Sequence, residues 1–389
     1  MTSRRRWTAV LFLCVVADGM TAQLRGALLP NFQRTFEVSE RLLGFVAPAG
    51  TVGLVVAVLV VGMLSGRLDV RRSVLVGAVG TAVCLGVVSI ASSYGLLLAL
   101  FLLQGASIGV VRALDRPLLG HLYPDGRGRI FNLYALMWAV GATAGPLVAN
   151  AVLAVTDWRV TYALLAGVFL LVGVAVTRLD HPEVAGAEQS LTREGLREVL
   201  RHPSVRGMAL ALVVSGGIEG IMFTWLPYYA GDFFPQSTAN LLLSGYLVMY
   251  IPGRFAYGFL ADRLPPLTLV LGLAVLALPV VGLAFLGGTT AALVAGVLGF
   301  GLLVAGFFPT LSAFGVSAVP QYSGPVNAIA TAANYVGLSA APVVVGVVAD
   351  QYTIATGMRL LVPAVACLTL VLAVTRFRID GRTAKTVEA

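Results

Sequence analysis

Residues 267–286 read LTLVLGLAVLALPVVGLAFL, and no charged side chain interrupts them. A helix rises about 1.5 Å per residue, so roughly 20 apolar residues cross a hydrocarbon core about 30 Å thick. Similar runs lie on both sides of this one. In the first half they fall near Trp7–Leu29, Leu42–Leu64, Ser73–Ala91, Gly95–Pro117, Ile130–Val155 and Val160–Arg178. In the second half they fall near Val205–Tyr229, Thr238–Phe259, Leu267–Leu286, Thr290–Phe314, Pro325–Val348 and Met358–Phe377. Of the 389 residues 58% are hydrophobic and 11% charged, less than half the charged share of an ordinary soluble domain. Mean hydropathy is +0.91. Backbone N–H and C=O groups cannot go unpaired in lipid, so runs of this length must be helices rather than strands. The expected fold is an all-α membrane protein with twelve transmembrane helices, six plus six.

Basic residues set the expected orientation. With a cytoplasmic amino terminus, nineteen of the 26 Lys and Arg fall in loops on that side, among them Arg4, Arg71, Arg72, Arg193 and Arg378. The opposite side holds only Arg34, Arg41, Arg159 and Arg359. The positive-inside rule then places both termini in the cytoplasm of a cell membrane. Because the net charge of +8 is spread over many short loops, it indicates topology and not nucleic acid. Arg4, Arg5 and Arg6 precede an apolar run, but Asp18 and Arg25 lie within it and no small-residue cleavage site follows, so the first helix is expected to be retained. The longest connection carries Leu191, Leu196 and Leu200 among charged residues. The expected domains are an amino-terminal six-helix bundle at 1–178, a cytoplasmic linker at 179–204 and a carboxy-terminal bundle at 205–389.

Several features recur at an offset of 196 residues. Gly62-Met-Leu-Ser-Gly-Arg67 after the second run matches Gly258-Phe-Leu-Ala-Asp262-Arg263 after the eighth. Gly141-Ala-Thr-Ala-Gly145-Pro146 matches Gly337-Leu-Ser-Ala-Ala-Pro342, and Gly105 matches Gly301. Glycines four apart let helix backbones approach, and proline permits a kink. Two related halves of equal topology suit a device with two arrangements, each open to one side.

On these residues the chain resembles the major facilitator superfamily, whose loop after the second span reads roughly G-x-x-x-D-R-x-G-R-R. Gly258, Asp262 and Arg263 fit that pattern, whereas the first copy has Gly66 in place of the acid and Asp69 in place of a glycine. The fifth span resembles the family's G-x-x-x-G-P motif, Asp157-Trp158-Arg159 its start of the sixth span, and Leu103-Gln104-Gly105 its R-F-L-Q-G, with Phe101 where the family has arginine. The resemblance implies two pseudo-symmetric six-helix bundles, alternating access, and a central cavity lined by the first, fourth, seventh and tenth spans. It also implies a conformational role for Gly62, Arg67, Gly258, Asp262, Arg263, Gly141, Gly145, Pro146, Gly337 and Pro342.

Ionisable groups within spans are costly, about 2.5 to 3.5 kcal/mol at the bilayer centre on the insertion scale, and so mark working sites. Asp18 and Arg25 lie two turns apart on one face of the first span, Arg112, Asp115 and Arg116 cluster on the fourth, and Glu219 sits in the seventh. Asp18, Asp115 and Glu219 are the proton-coupling candidates, with Arg112 the expected partner of Asp18 or Asp115. Burial and a neighbouring arginine act in opposite directions on a carboxylate, so solute arrival or helix motion can switch its protonation. The alternatives are a structural Asp18–Arg25 ion pair, and Asp115 and Arg116 snorkelling beside Pro117. Ser215-Gly216-Gly217 before Glu219 is expected to weaken or break the seventh span.

The substrate-binding candidates are Arg25, Arg112, Trp225, Tyr246, Tyr250, Asn327 and Asn334. Guanidinium groups bind carboxylates and phosphates, amphipathic rings stack on solutes, and Asn327, Thr331 and Asn334 share one helix face. Interfacial anchoring and interhelical hydrogen bonding are their structural alternatives.

No phosphate-binding loop, H-E-x-x-H or nucleophile elbow occurs, so neither ATP-driven pumping nor intramembrane hydrolysis has its chemistry here. Cys14, Cys84 and Cys367 lie in spans without metal-ligand spacing, and neither metal nor cofactor is expected. The expected function is secondary active transport of a small organic solute, proton-coupled and leaning toward an anion because of the arginines. A drug/proton antiporter is the alternative, and a passive pore the alternative of another class. The expected partners are the solute, protons and the bilayer, with a monomer as the working state.

Overall fold

The computed structural model describes residues 3–64, 68–181, 199–261 and 263–387. Among them there are helices and short turns but no strands. The first six spans are Ser3–Ala27, Val46–Leu64, Val70–Val88, Tyr94–Leu122, Arg127–Leu153 and Arg159–Thr177. The seventh is Pro203–Ala230, the ninth Pro266–Leu286 and the eleventh Ser323–Gln351. Among the described residues eleven helical runs are long and apolar enough to cross a membrane. The eighth is the twelfth expected, split at Met249 into Gln236–Val248 and Tyr250–Ala261.

Proline explains where helices stop and restart. Its missing N–H leaves the carbonyl four residues earlier without its helical partner. Pro252 thereby orphans Val248, just before the break at Met249. Pro309 orphans Ala305, where the tenth span divides into Thr290–Val304 and Phe307–Ala318. Pro363 orphans Arg359, where the twelfth divides into Ile354–Arg359 and Leu361–Val387. Pro48 and Pro30 stand in the same relation to the starts of Val46–Leu64 and of the short helix Leu29–Phe36.

Two boundaries differ from those expected. The fourth span does not end at Pro117 but runs on to Leu122 with the proline inside it. The seventh is unbroken through Ser215–Gly217. Its glycines serve packing instead: a Cβ at Gly216 would strike the Asn334 carbonyl, and one at Gly220 the Leu338 carbonyl.

Contacts group the chain into two compact units, Met1–Glu188 with Leu226–Ser244, and Gln189–Trp225 with Gly245–Ala389. In the first, the second span packs on the fourth, the first on the fifth, and the third on the fourth and sixth. In the second, the ninth packs on the tenth and twelfth. Residues 226–244, expected in the carboxy-terminal bundle, group with the first unit through polar contacts. Tyr228 Oη donates to Glu40 Oε1 at 2.7 Å, Gln236 Nε2 to Asn31 Oδ1 at 2.5 Å, and Asn240 Nδ2 to Asn150 Oδ1 at 2.8 Å.

The small-residue contacts repeat between the halves. Gly141 abuts the Val16 carbonyl and Gly337 the Val213 carbonyl, while Gly105 abuts Gly50 and Gly301 abuts Tyr246; the glycines, Gly50 and Tyr246 keep the 196-residue offset of the sequence repeat, and Val16 and Val213 are one residue further apart. The motif positions after the second and eighth spans are less informative. Arg67 and Asp262 lie outside the described residues, as do Leu191 and Leu196 of the linker. A Cβ at Gly62 or Gly258 would meet nothing within 4 Å. Asp69 caps the third span, accepting from the Arg72 backbone N–H at 3.0 Å, and that bond holds its carboxyl below the usual range.

Candidate functional site

Each unit carries a buried carboxylate centre. In the first, Asp18 is 8% exposed and Asp115 3%, and Arg112 lies between them. Its Nε is 3.7 Å from Asp18 Oδ2 and its Nη1 3.8 Å from Asp115 Oδ2. Tyr134 of the fifth span completes the cluster, since its hydroxyl accepts from Arg112 Nη1 at 2.5 Å and donates to Asp115 Oδ2. The first, fourth and fifth spans thus meet at one guanidinium. The expected pairing of Arg112 with Asp18 or Asp115 is present with both. Asp115 does not snorkel: its Oδ1 accepts the Arg116 backbone N–H, and it is the Arg116 side chain that is exposed. Tyr134 is new, and nothing in its local sequence marks it, because its role comes from a neighbouring helix.

Arg25 is not within ion-pair distance of Asp18. Its Nη2 donates to Gln104 Oε1 at 2.5 Å, and its guanidinium carbon stands 4.9 Å from the centre of the Phe101 ring. Gln104 and Phe101 were legible only as a motif and its departure; the structure brings both to the same guanidinium.

In the second unit Glu219 is 9% exposed. Its Oε1 accepts from Tyr250 Oη at 3.0 Å, and Asn334 also hydrogen-bonds its carboxylate. The Tyr246 and Tyr250 hydroxyls are 3.1 Å apart, and Arg254 lies over the Tyr250 ring at 5.5 Å while attracting Glu219. Both tyrosines are buried; Tyr250 bonds the carboxylate directly, and Tyr246 reaches it through the Tyr250 hydroxyl. Trp225 is buried as well, its Nε1 donating to the Pro342 carbonyl at 3.0 Å. Asn327 does not join Asn334: it is exposed two turns away, and its carbonyl accepts from Thr331 Oγ1 at 2.9 Å.

Among the described residues no group of three or more His, Cys, Asp or Glu side chains could hold a metal ion. The arrangement offers three membrane-embedded carboxylates in two centres, Asp18 and Asp115 held by arginine and tyrosine, and Glu219 by tyrosine and asparagine. Each can take or release a proton and change its partners as it does so.

Comparison with known proteins adds the lineage. The sequence profile of the Major Facilitator Superfamily matches residues 11–342. The L-fucose-proton symporter of Escherichia coli (strain K12) is 23% identical over 320 residues, 72% of each chain. Among solved structures, a mutant of the nucleoside transporter NupG superposes with a TM-score of 0.82 at 13% identity, covering 96% of this chain and 100% of that one. A bacterial homolog to the human lysosomal transporter Spinster, inward-facing and occupied, gives 0.83 at 13% identity over 97% of each. A mutant of the E. coli fucose:proton symporter FucP gives 0.66 at 18% identity over 96% of this chain and 98% of that one. At these identities the structural likeness carries the fold and not the solute.

Proposed function

The chain belongs to the Major Facilitator Superfamily, and we propose that it couples the movement of a small organic solute to protons by alternating access. Family and fold make it a multi-pass secondary transporter, not an enzyme. The observation that carries proton coupling is the position of Arg112 between Asp18 and Asp115. With Asp18 ionised, Arg112 ties the first span to the fourth. A proton on Asp18 removes one half of that tie and leaves Arg112 to Asp115 and Tyr134. Glu219, with Tyr250 and Asn334, is a second protonation site.

The proposed working unit is a monomer in the cell membrane with both termini cytoplasmic, as the distribution of arginines favours. Its functional halves are residues 1–178 and 205–389, joined by 179–204. Of the arginines that reach the two centres, Arg112 is paired with carboxylates and Arg254 attracts Glu219, while Arg116 is exposed, so the lean toward an anionic solute rests on Arg25. A neutral hydroxylated solute is the second reading, favoured by the relative named as an L-fucose-proton symporter.

The test is the thermal midpoint of the purified protein with organic acids, sugars and cationic amphiphiles, at one acidic and one alkaline pH. We expect a ligand whose stabilisation depends on pH in the wild type and not in Asp18→Asn. A pH dependence unchanged in Asp18→Asn would refute coupling at that residue. Stabilisation by cationic amphiphiles alone, indifferent to Arg112→Ala, would point to a drug/proton antiporter.

A further inference from the structure

Arg25 differs from Arg112 in having no carboxylate within 4 Å among the described residues, and its buried Nε has no acceptor. It is nevertheless held from several sides. Gln104 accepts from Nη2 at 2.5 Å, Phe101 lies under the guanidinium at 4.9 Å, and Gly50 of the second span leaves the room that a Cβ there would fill. Beside it the Tyr162 hydroxyl is buried without a partner, its ring 5.8 Å from that of Phe101.

The second half of the chain lacks this construction. At the 196-residue offset Gly50 and Gln104 correspond to Tyr246 and Phe300, and Arg25 of the first span, with the one-residue slip that aligns Val16 with Val213, to Met222. Tyr246 there fills the space against Gly301 that Gly50 leaves open against Gly105. A glycine, a cation and a neutral acceptor therefore occur together in one half only, as expected of a site and not of packing shared by both.

From this geometry we infer that Arg25 and Gln104 form the subsite that takes the carboxylate of a monoanionic solute. The inference rests on proton coupling at Asp18. Asp18 faces Cys14 and Arg25 of the first span and Arg112 of the fourth; Asp115 of the fourth and Tyr134 of the fifth face Arg112 from its other side, and Tyr162 of the sixth faces Arg25. Both arginines attract Asp18. With Asp18 ionised, the two aspartates and the two arginines sum to zero charge. One proton on Asp18 leaves a charge of plus one, and one solute carboxylate cancels it. The empty, deprotonated form and the form loaded with one proton and one carboxylate thus carry equal charge. A half-loaded form carries an unbalanced charge into the low-dielectric interior and is disfavoured there. Gln104, which accepts one guanidinium N–H, leaves the others for a bidentate carboxylate.

The test uses the full-length purified chain with acetate and lactate as probes, chloride at equal ionic strength and the uncharged acetamide and 1,2-propanediol as controls. Thermal midpoints are read at an acidic and an alkaline pH. Both carboxylates should raise the midpoint, more at acidic pH, and chloride and the uncharged probes should not. Arg25→Gln should abolish the rise. Arg25→Lys, which keeps the charge but not the fork, should weaken the half-saturating concentration by on the order of tenfold. Gln104→Glu places a carboxylate of the chain's own in the subsite, so it should raise the midpoint without ligand and remove the response to acetate. Carboxylates acting no more strongly than chloride, an unchanged response in Arg25→Lys, or a lowered midpoint in Gln104→Glu would each overturn the inference. Proton release on alkalinisation, compared between wild type and Asp18→Asn without any carboxylate, reports coupling separately. A difference there without carboxylate binding removes the subsite and keeps the coupling; binding that is independent of pH does the reverse.

Discussion

Arg112 is the residue on which most of the first unit's polar chemistry converges, and its partners predict how substitutions behave. Arg112→Ala leaves two buried carboxylates without their cation, so a loss of about 3 to 5 kcal/mol is expected in denaturant or thermal unfolding. Adding Asp115→Asn removes one of those charges and should restore part of it, which a double-mutant cycle would measure. Tyr134→Phe deletes a hydroxyl bonded to both Arg112 and Asp115 and should cost about 1 to 3 kcal/mol. It should also change the pH dependence of the midpoint, which a packing role alone would not do.

Asp69 gives a sign that can be checked outside the spans. Its carboxyl is held below the ordinary value by the Arg72 backbone N–H, so its contribution is present above the unfolded pKa of about 3.9 and is lost as pH falls through the lower folded one. Asp69→Ala should therefore destabilise at neutral pH, by about 0.5 to 2 kcal/mol for a lost N-cap, and the difference should shrink in strong acid.

At the scale of helices, two kinds of glycine and two kinds of proline separate. Gly141 and Gly337 sit where a Cβ would strike a neighbouring helix's carbonyl, at Val16 and Val213. Gly141→Val and Gly337→Val should each cost at least the 1 to 3 kcal/mol typical of overpacking, about that much or more given backbone on the far side. Gly62→Ala and Gly258→Ala meet nothing within 4 Å and should leave unfolding unchanged, while any effect on transport would mark a conformational role. Pro252, Pro309 and Pro363 each coincide with a break, whereas Pro117, Pro146, Pro227, Pro279 and Pro342 lie inside continuous helices. Sequence marks every proline alike. Only the neighbours decide whether a carbonyl freed by one ends the helix or is accommodated within it.

At the scale of the molecule, the first unit includes a segment from the other half of the chain. Residues 226–244 are tied to it by Tyr228 to Gln33 and Glu40, by Gln236 to Asn31, and by Asn240 to Asn150. Tyr228→Phe together with Asn240→Ala should loosen that segment, seen as faster amide exchange in 226–244 with the rest of the first unit unchanged.

Composition and apolar run length determined that this is a membrane protein with helical spans, because backbone groups in lipid must be paired within the segment or a closed barrel, and runs of about 20 apolar residues fit helices rather than barrel strands. The repeat at 196 residues identified two related halves, because the same small residues were needed twice for the same backbone approach. Sequence also placed Asp18, Arg112, Asp115 and Glu219 among the buried charges, since charge within apolar runs is visible by itself. The tertiary structure alone decided their partners. Tyr134, Asn334 and Tyr250 reach these charges, and Gln104 reaches Arg25, from other helices; which face of a helix meets which neighbour is settled by packing between elements far apart in sequence. It also decided that Arg25 stands apart from Asp18: two turns along one helix give a shared face, but the guanidinium turns to Gln104 and Phe101, where Gly50 leaves it room.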